Sequence, residues 1–135
     1  MIIFKKKSDL SEYLENQIKN DKKIGFVPTM GALHLGHISL IVESKSENDC
    51  TVCSIFVNPT QFNDKDDFNK YPVSIEEDIQ LLEENGCDIL FLPDQSEIYP
   101  HDFVKINYDI GVLENCLEGV YRPGHYQGVC MVVDR

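Results

Sequence analysis

Two imidazoles stand three residues apart in this chain, His34 and His37, in the run Pro28-Thr29-Met30-Gly31-Ala32-Leu33-His34-Leu35-Gly36-His37. On a helix, residues at i and i+3 share a face, so both rings can reach one ligand. Gly36 between them has no Cβ, which leaves room for a nucleotide to approach closely. A helix starting here would add partial positive charge and N–H groups suited to phosphate oxygens. Two donors beside such a terminus can stabilise the negative charge that builds as an α-phosphate becomes five-coordinate. A plainer reading makes His34 a helix cap and His37 a buried, satisfied histidine. The context favours chemistry, because the pair follows a strand-like run, opens a helical pattern and encloses a glycine. A structural zinc site would need four ligands, and the cysteines lie elsewhere in the chain.

Other polar residues sit where an open α/β sheet binds ligands, outside the carboxyl ends of its strands. Asn58 and Gln61 follow the second apolar run. A neutral amide can donate to a carboxylate and accept from a hydroxyl or amine. Equally, Asn58-Pro59 can make a simple turn and Gln61 can be a loop residue. Glu76, Glu77 and Asp78 open a predicted helix, where carboxylates suit the macrodipole whatever else they do. Arg122 and His125 flank Pro123-Gly124, a site for phosphate or a plain connection. Cys50-Thr51-Val52-Cys53 has Cys-x-x-Cys spacing but enters a strand, whereas redox pairs sit at helix N-termini. It reads as accidental, with Cys87 and Cys130 as small apolar packers.

The elements that position these residues alternate. Residues 8–20 carry Leu10, Tyr13, Leu14 and Ile18 at helical spacing, with Ser8 or Asp9 as N-cap and Glu12 in place for a capping box. Residues 24–27 form a short apolar strand ended by Pro28. A helix over 37–45 follows, with Ile38, Leu40, Ile41 and Val42 on its buried side. Residues 51–57 are a second strand and 63–69 a polar loop. A helix over 74–85 has a Ser74/Glu77 capping box and Gly86 at C′. Residues 88–92 are a third strand stopped by Pro93. Strand-helix-strand-helix-strand with short connections implies a parallel sheet and a Rossmann-like three-layer α/β fold. Residues 103–108 suggest a short extra strand, 110–117 a short helix, and 126–135 the opening of another. Three main strands leave one sheet edge short of a partner, which reads as an incomplete chain.

With 135 residues, 42% hydrophobic and 26% charged, the chain suits one packed domain. A net charge of -11 disfavours nucleic acid as a partner, since that binding needs clustered Lys and Arg. The apolar Ile2-Ile3-Phe4 precedes Lys5-Lys6-Lys7, leaving no secretory signal, and no apolar stretch approaches the ~20 residues of a membrane span. Five scattered cysteines make a poor disulfide framework, so the cytoplasm is the expected compartment.

Four ordered blocks carry a specific resemblance. Residues 28–37 are similar to the HIGH-type signature of the nucleotidyltransferase superfamily, in the PTMGALHxGH form typical of the pantothenate synthetase family. Ser54-Ile55-Phe56-Val57-Asn58-Pro59-Thr60-Gln61-Phe62 resembles that family's FVNPxQF block. Tyr71-Pro72 with Glu76, Glu77 and Asp78 resembles its YPR…D block, and Leu117-Glu118-Gly119 with Arg122-Pro123-Gly124-His125-Tyr126 its LEG…RPxHF block. Together they span most of the chain.

The resemblance implies an ATP-dependent ligase that condenses pantoate with beta-alanine through a pantoyl adenylate, releasing AMP and diphosphate. It implies ATP and Mg2+ as cofactors. Met30, Gly31, Ala32, Leu33, His34, Leu35, Gly36 and His37 would line the ATP pocket, with His34 and His37 catalytic. Gln61 and Asn58 would hold pantoate near beta-alanine, with Arg122 and His125 as further contacts. Asp78 or Glu77 would touch hydrated magnesium. Residues 1–135 would be an incomplete ATP/pantoate domain, its C-terminal lid domain absent, working as a homodimer. Val73 replaces the Arg of the YPR block, and the family's FGxKDxQQ and MSSRN segments do not occur. Two other readings stand beside this one: a nucleotidyltransferase of the same superfamily with another acceptor, against which the FVNPxQF-like block speaks, and a nucleotide-binding module without turnover.

Overall fold

Apolar runs three to six residues long become the strands of one parallel sheet: β1 Ile2–Phe4, β2 Ile24–Thr29, β3 Cys50–Ile55 and β4 Ile89–Phe91, in the order β1-β4-β3-β2. Among the described residues the helices are α1 Lys7–Lys19, α2 Leu35–Glu47, α3 Lys65–Asn69, α4 Ile75–Glu84, α5 Gln95–Ile98, α6 Glu118–Tyr121 and α7 His125–Val133. The computed structural model describes the whole chain except Asn63, Asp64, Val73 and the side chains of Lys65 and Asp67. Two compact units result, one of Met1–Phe56 with Pro72–Glu97, the other of Val57–Tyr71 with Ile98–Arg135.

In the first unit the expected α/β fold with a parallel sheet is present, with one strand more than the apolar runs suggest. The short apolar run of β1 passes straight into Lys5-Lys6-Lys7 and does not read as a strand in the sequence, yet it pairs with β4 through Ile2↔Ile89, Ile3↔Leu90 and Phe4↔Phe91. The edge that three strands would leave on β4 is thereby covered. Pro28 does not end its strand, which runs on to Thr29. An edge position explains this, because a residue without an N–H is tolerated where one side of the ladder is unpaired. β3, central in the sheet, is buried at every position, as a strand covered on both faces must be.

Val27, Cys53 and Leu90 lie in one register row across β2, β3 and β4. Ile41 of α2 and Leu82 of α4, both 0% exposed, pack against that row. Truncating either to Ala costs about 2–5 kcal/mol, since a cavity remains after the methyl groups go. Of the four apolar residues expected inside α2, only Ile38 and Ile41 are buried, while Leu40 and Val42 are 55% and 54% exposed. The buried stripe is one i,i+3 row, and Leu40 and Val42 lie off it.

Capping differs from expectation at two helices. α1 starts with Lys6 as an uncapped N-cap; Ser8 Oγ turns to Asp9 Oδ1 instead. Glu97 Oε1 accepts from Lys7 N–H at 2.8 Å, so a carboxylate 90 residues away serves the first turn. Ser74 is the N-cap of α4 but makes no capping box, because its Oγ donates to Asp78 Oδ1 at 3.3 Å. Gly86 takes the left-handed φ of +75° expected past the helix end.

In the second unit, residues 103–108 form no strand, residues 110–117 reduce to a 3-10 turn at Gly111–Asn115, and the last helix is α7. The loop expected over 63–69 contains α3, and its first two residues lie outside the described residues. Val73, the departure from the YPR block, also lies outside them. Among the described residues no helix is long and apolar enough to cross a membrane. The five thiols are free. Burial pushes the Cys53 thiol up to about 12 and raises Cys50 as well, the opposite of the lowered thiol pKa that redox pairs show.

Candidate active site

Gly31 and Ala32 both adopt left-handed backbone, φ +82° and +51°, between the end of β2 and the start of α2. Only glycine does this freely, so Ala32 must be held there. Thr29 Oγ1 donates to Ser54 O at 2.8 Å and accepts from Gly31 N–H at 3.2 Å. Asp78, only 2% exposed, accepts from Ala32 N–H at 2.9 Å through Oδ2 and from Leu33 N–H at 2.7 Å through Oδ1. A Cβ on Gly31 would lie 3.0 Å from Ile55 Cγ2 and 3.1 Å from Asp78 Oδ2, so the glycine also makes room for the carboxylate.

The two histidines close the head of α2. His34 is its N-cap, with Nδ1 accepting from Gly36 N–H at 3.1 Å, and His37 Nδ1 accepts from His34 N–H at 3.3 Å. The rings lie 4.1 Å apart between centroids. Capping and chemistry are therefore compatible: with each Nδ1 acting as acceptor, the neutral rings carry their proton on Nε2, and that N–H is available to a ligand. His34 is exposed and His37 half-buried. Burial first, then the neighbouring His34, hold the His37 pKa below the usual 6.5, against an opposing pull from Asp78.

Two expectations about this loop change. Gly36 also makes room for His34 itself, whose Cε1 would lie 2.9 Å from a Cβ at that position. The backbone N–H groups of Gly31, Ala32, Leu33, His34 and Gly36 are all taken within the unit. An anion at this terminus would therefore meet the imidazoles and the α2 macrodipole rather than those N–H groups. Asp78, read from the sequence as a contact to hydrated magnesium, has both oxygens engaged by the loop and by Ser74. Glu77 is exposed beside it. Among the described residues no group of three His, Cys, Asp or Glu side chains could hold a metal ion.

The second unit holds the other candidates. Asn58 is 0% exposed and caps the 3-10 turn Pro59–Gln61. Its Oδ1 accepts from Thr60 N–H at 3.2 Å, Thr60 Oγ1 at 2.9 Å and Tyr99 O–H at 2.9 Å, while Nδ2 donates to Gly128 O at 3.0 Å. The turn reading of Asn58-Pro59 is what this geometry shows. α7 crosses the turn so closely that a Cβ on Gly128 would lie 2.4 Å from Thr60 O. His125, at the head of α7, places Nδ1 3.3 Å from Gln61 O. Gln61 is 9% exposed, and its side-chain amide has no hydrogen-bond partner among the described residues. Arg122 Nε lies 3.6 Å from Glu118 Oε2.

His34, His37, Asp78 and the residues from 30 to 37 thus belong to the first unit, and Asn58, Gln61, Arg122 and His125 to the second. Sequence reading misses Thr29, Ser74, Thr60, Tyr99 and Gly128 as supports. Their partners lie 2 to 70 residues away, and only Gly128 carries a local hint, a glycine inside a helical pattern.

Comparison with known proteins gives this geometry its family. A sequence profile of Pantoate-beta-alanine ligase matches residues 2–135. The chain is 54% identical over 123 residues to the pantothenate synthetase of Cytophaga hutchinsonii, covering 91% of this chain and 43% of that protein. It is 46% identical over 132 residues to that of Aquifex aeolicus, covering 98% and 46%. The crystal structure of pantothenate synthetase from Thermus thermophilus superposes with a TM-score of 0.88 at 41% identity, covering 100% of this chain and 47% of that one. The pantoate-beta-alanine ligase of Francisella tularensis, solved in complex with beta-gamma ATP and beta-alanine, also gives 0.88, at 47% identity, covering 98% and 51%. The chain spans about half the length of the relatives it matches. It belongs to the pantoate-beta-alanine ligase family.

Proposed function

We propose that this chain is the ATP- and pantoate-handling part of a pantothenate synthetase. The reaction joins (R)-pantoate to beta-alanine. The pantoate carboxylate attacks the α-phosphate of magnesium-ATP, diphosphate leaves, and the beta-alanine amine then displaces AMP from the pantoyl adenylate. One observation carries the assignment: His34 and His37 each spend Nδ1 on a backbone N–H and keep Nε2–H for a ligand at the head of α2. Two such donors stabilise charge growing on the α-phosphate without any proton changing hands. The carboxylate needs positioning more than activation. Gln61, 9% exposed with its amide unspent, suits that task, and Asn58 holds the turn. Met30, Gly31, Ala32, Leu33, Leu35 and Gly36 shape the adenylate side, and Arg122 and His125 are further contacts for phosphate or pantoate.

Magnesium enters in this reading with ATP, as part of the substrate. The described acids do not form a cage for it, so no step is routed through a resident metal. Glu77, exposed at the head of α4, is the acid left for a water-mediated contact. We place the protein in the cytoplasm, where its five free thiols stay reduced, and as a homodimer, which light scattering would test.

Calorimetric titration with magnesium-ATP, with and without pantoate, alongside a diphosphate-release assay, tests the function. Pantoate-dependent release supports the full reaction. Binding without release supports a nucleotide-binding part that needs more chain for turnover, in keeping with its share of its relatives' length. Absence of nucleotide binding overturns the reading.

A further inference from the structure

We propose that Asp78 is a positioning residue for the nucleotide loop, its carboxylate holding Ala32 and Leu33 in the left-handed turn that delivers His34 to the head of α2. The proposal deepens the nucleotide reading above and rests on it for the word nucleotide only. The anchor itself is a matter of geometry. Asp78 is 2% exposed, and a carboxylate so buried is tolerated only when its oxygens are hydrogen-bonded. Here the donors are Leu33 N–H at 2.7 Å, Ala32 N–H at 2.9 Å and Ser74 O–H at 3.3 Å. Bonds from N–H to an ionised acceptor are stronger than neutral ones, and two from consecutive residues fix the plane of the intervening peptide.

The loop has reason to need such a clamp. Ala32 sits at φ +51°, which an alanine abandons when released. Two residues on, His34 must present Nδ1 to Gly36 N–H and its own N–H to His37 Nδ1. A loop that relaxes at Ala32 displaces the His34 backbone and loses both bonds, so the two rings no longer share one orientation and one tautomer. Asp78 is well placed to resist this. It lies in the first turn of α4, where the macrodipole favours the carboxylate, and α4 is fastened to the core by Leu82. Gly31, whose Cβ would meet Asp78 Oδ2 at 3.1 Å, keeps the path between acid and loop open. An acid 46 residues beyond Ala32 in sequence thus sets the geometry of the histidine pair.

The test uses this chain, with Asp78→Asn as the central variant, Asp78→Glu as the charge-preserving one and Glu76→Gln as an exposed control from the same turn. An Asn side chain keeps one acceptor, so one of the two loop bonds is lost. Amide hydrogen exchange should show Ala32 and Leu33 protected in the unmodified chain. Asp78→Asn should speed their exchange about tenfold or more. The Nδ1 and Nε2 nitrogen shifts of His34 and His37 should pass from one tautomer to a mixture. Affinity for magnesium-ATP should weaken by about the same factor as the competent loop population falls. Asp78→Glu should fall between the two, and Glu76→Gln should move none of these.

A lowered melting temperature with unchanged imidazole tautomers and unchanged affinity well below it would make Asp78 a stabilising residue only and overturn the proposal. If Asp78→Asn does not fold, the unmodified chain decides: Ala32 and Leu33 exchanging as fast as an open loop would overturn it. If the unmodified chain binds no magnesium-ATP, the proposed function falls, while exchange and tautomer still settle whether Asp78 holds the loop.

Discussion

The His34–His37 loop and the Asn58–Gln61 turn are both short polar segments at strand ends, and both are held by side-chain bonds, yet they spend their polar atoms in opposite ways. Each histidine gives one nitrogen to the backbone and leaves the other unspent, the atom we propose meets the ligand. Asn58 gives its oxygen to three donors and its nitrogen to Gly128 O, all inside its unit at 0% exposure. In the second segment the free group belongs to its neighbour Gln61. On the proposed reading, a motif block therefore mixes residues that meet the ligand with residues that hold those that do. Residue type alone does not separate the two.

Substitutions sharpen that division, beginning where the effect is largest. His37→Ala removes one of two donors aimed at the developing charge, so pantoate-dependent diphosphate release, in a form of the protein that shows it, should fall about 10²–10³-fold. The fold should remain, with a loss near 1 kcal/mol for the missing cap bond. Unchanged release would break the comparison at its first member. Asn58→Ala should do the reverse. Stranding Thr60, Tyr99 and Gly128 groups in a buried setting costs about 2–4 kcal/mol, read as a lower denaturation midpoint at constant m value. Gln61→Ala should weaken pantoate binding about tenfold in calorimetry while stability shifts by less than about 1 kcal/mol. If Asn58→Ala and Gln61→Ala behave alike, the division between support and contact is wrong.

What the sequence makes legible follows the same line. Helical spacing locates α2 and α4, and apolar runs locate β2, β3 and β4, because burial imposes a pattern that local composition must obey. The His34–His37 pair can be found because both partners lie within one turn of helix. β1 escapes because its short apolar run opens directly into three lysines, and the Lys7–Glu97 cap because its acceptor is 90 residues away. Asp78 reads from its own helix as an acid near a dipole, while its partners are the N–H groups of a distant loop. The fully buried Asn58 shows the same limit: its type suggests a ligand, and only the packing of α7 against the turn shows what its amide does.

The smallest expected effect concerns protonation. The His37 pKa lies below 6.5, with burial the leading cause, so the folded chain favours the neutral ring. A group of this sign contributes stability that is complete above about pH 6.5 and is lost as the pH falls below it toward the folded value. Protonation also places a hydrogen on Nδ1, which then cannot accept from His34 N–H, so the cap opens. Following the imidazole resonances from pH 8 to 5 should give His37 a midpoint below 6.5, with the His34 amide losing its exchange protection along that same titration. A His37 midpoint above 6.5 would mean that the Asp78 charge outweighs burial at this position. Were that midpoint to lie above neutral pH, the ring would be an imidazolium there, and the picture of two neutral Nε2–H donors would have to be replaced by one of direct charge pairing with phosphate.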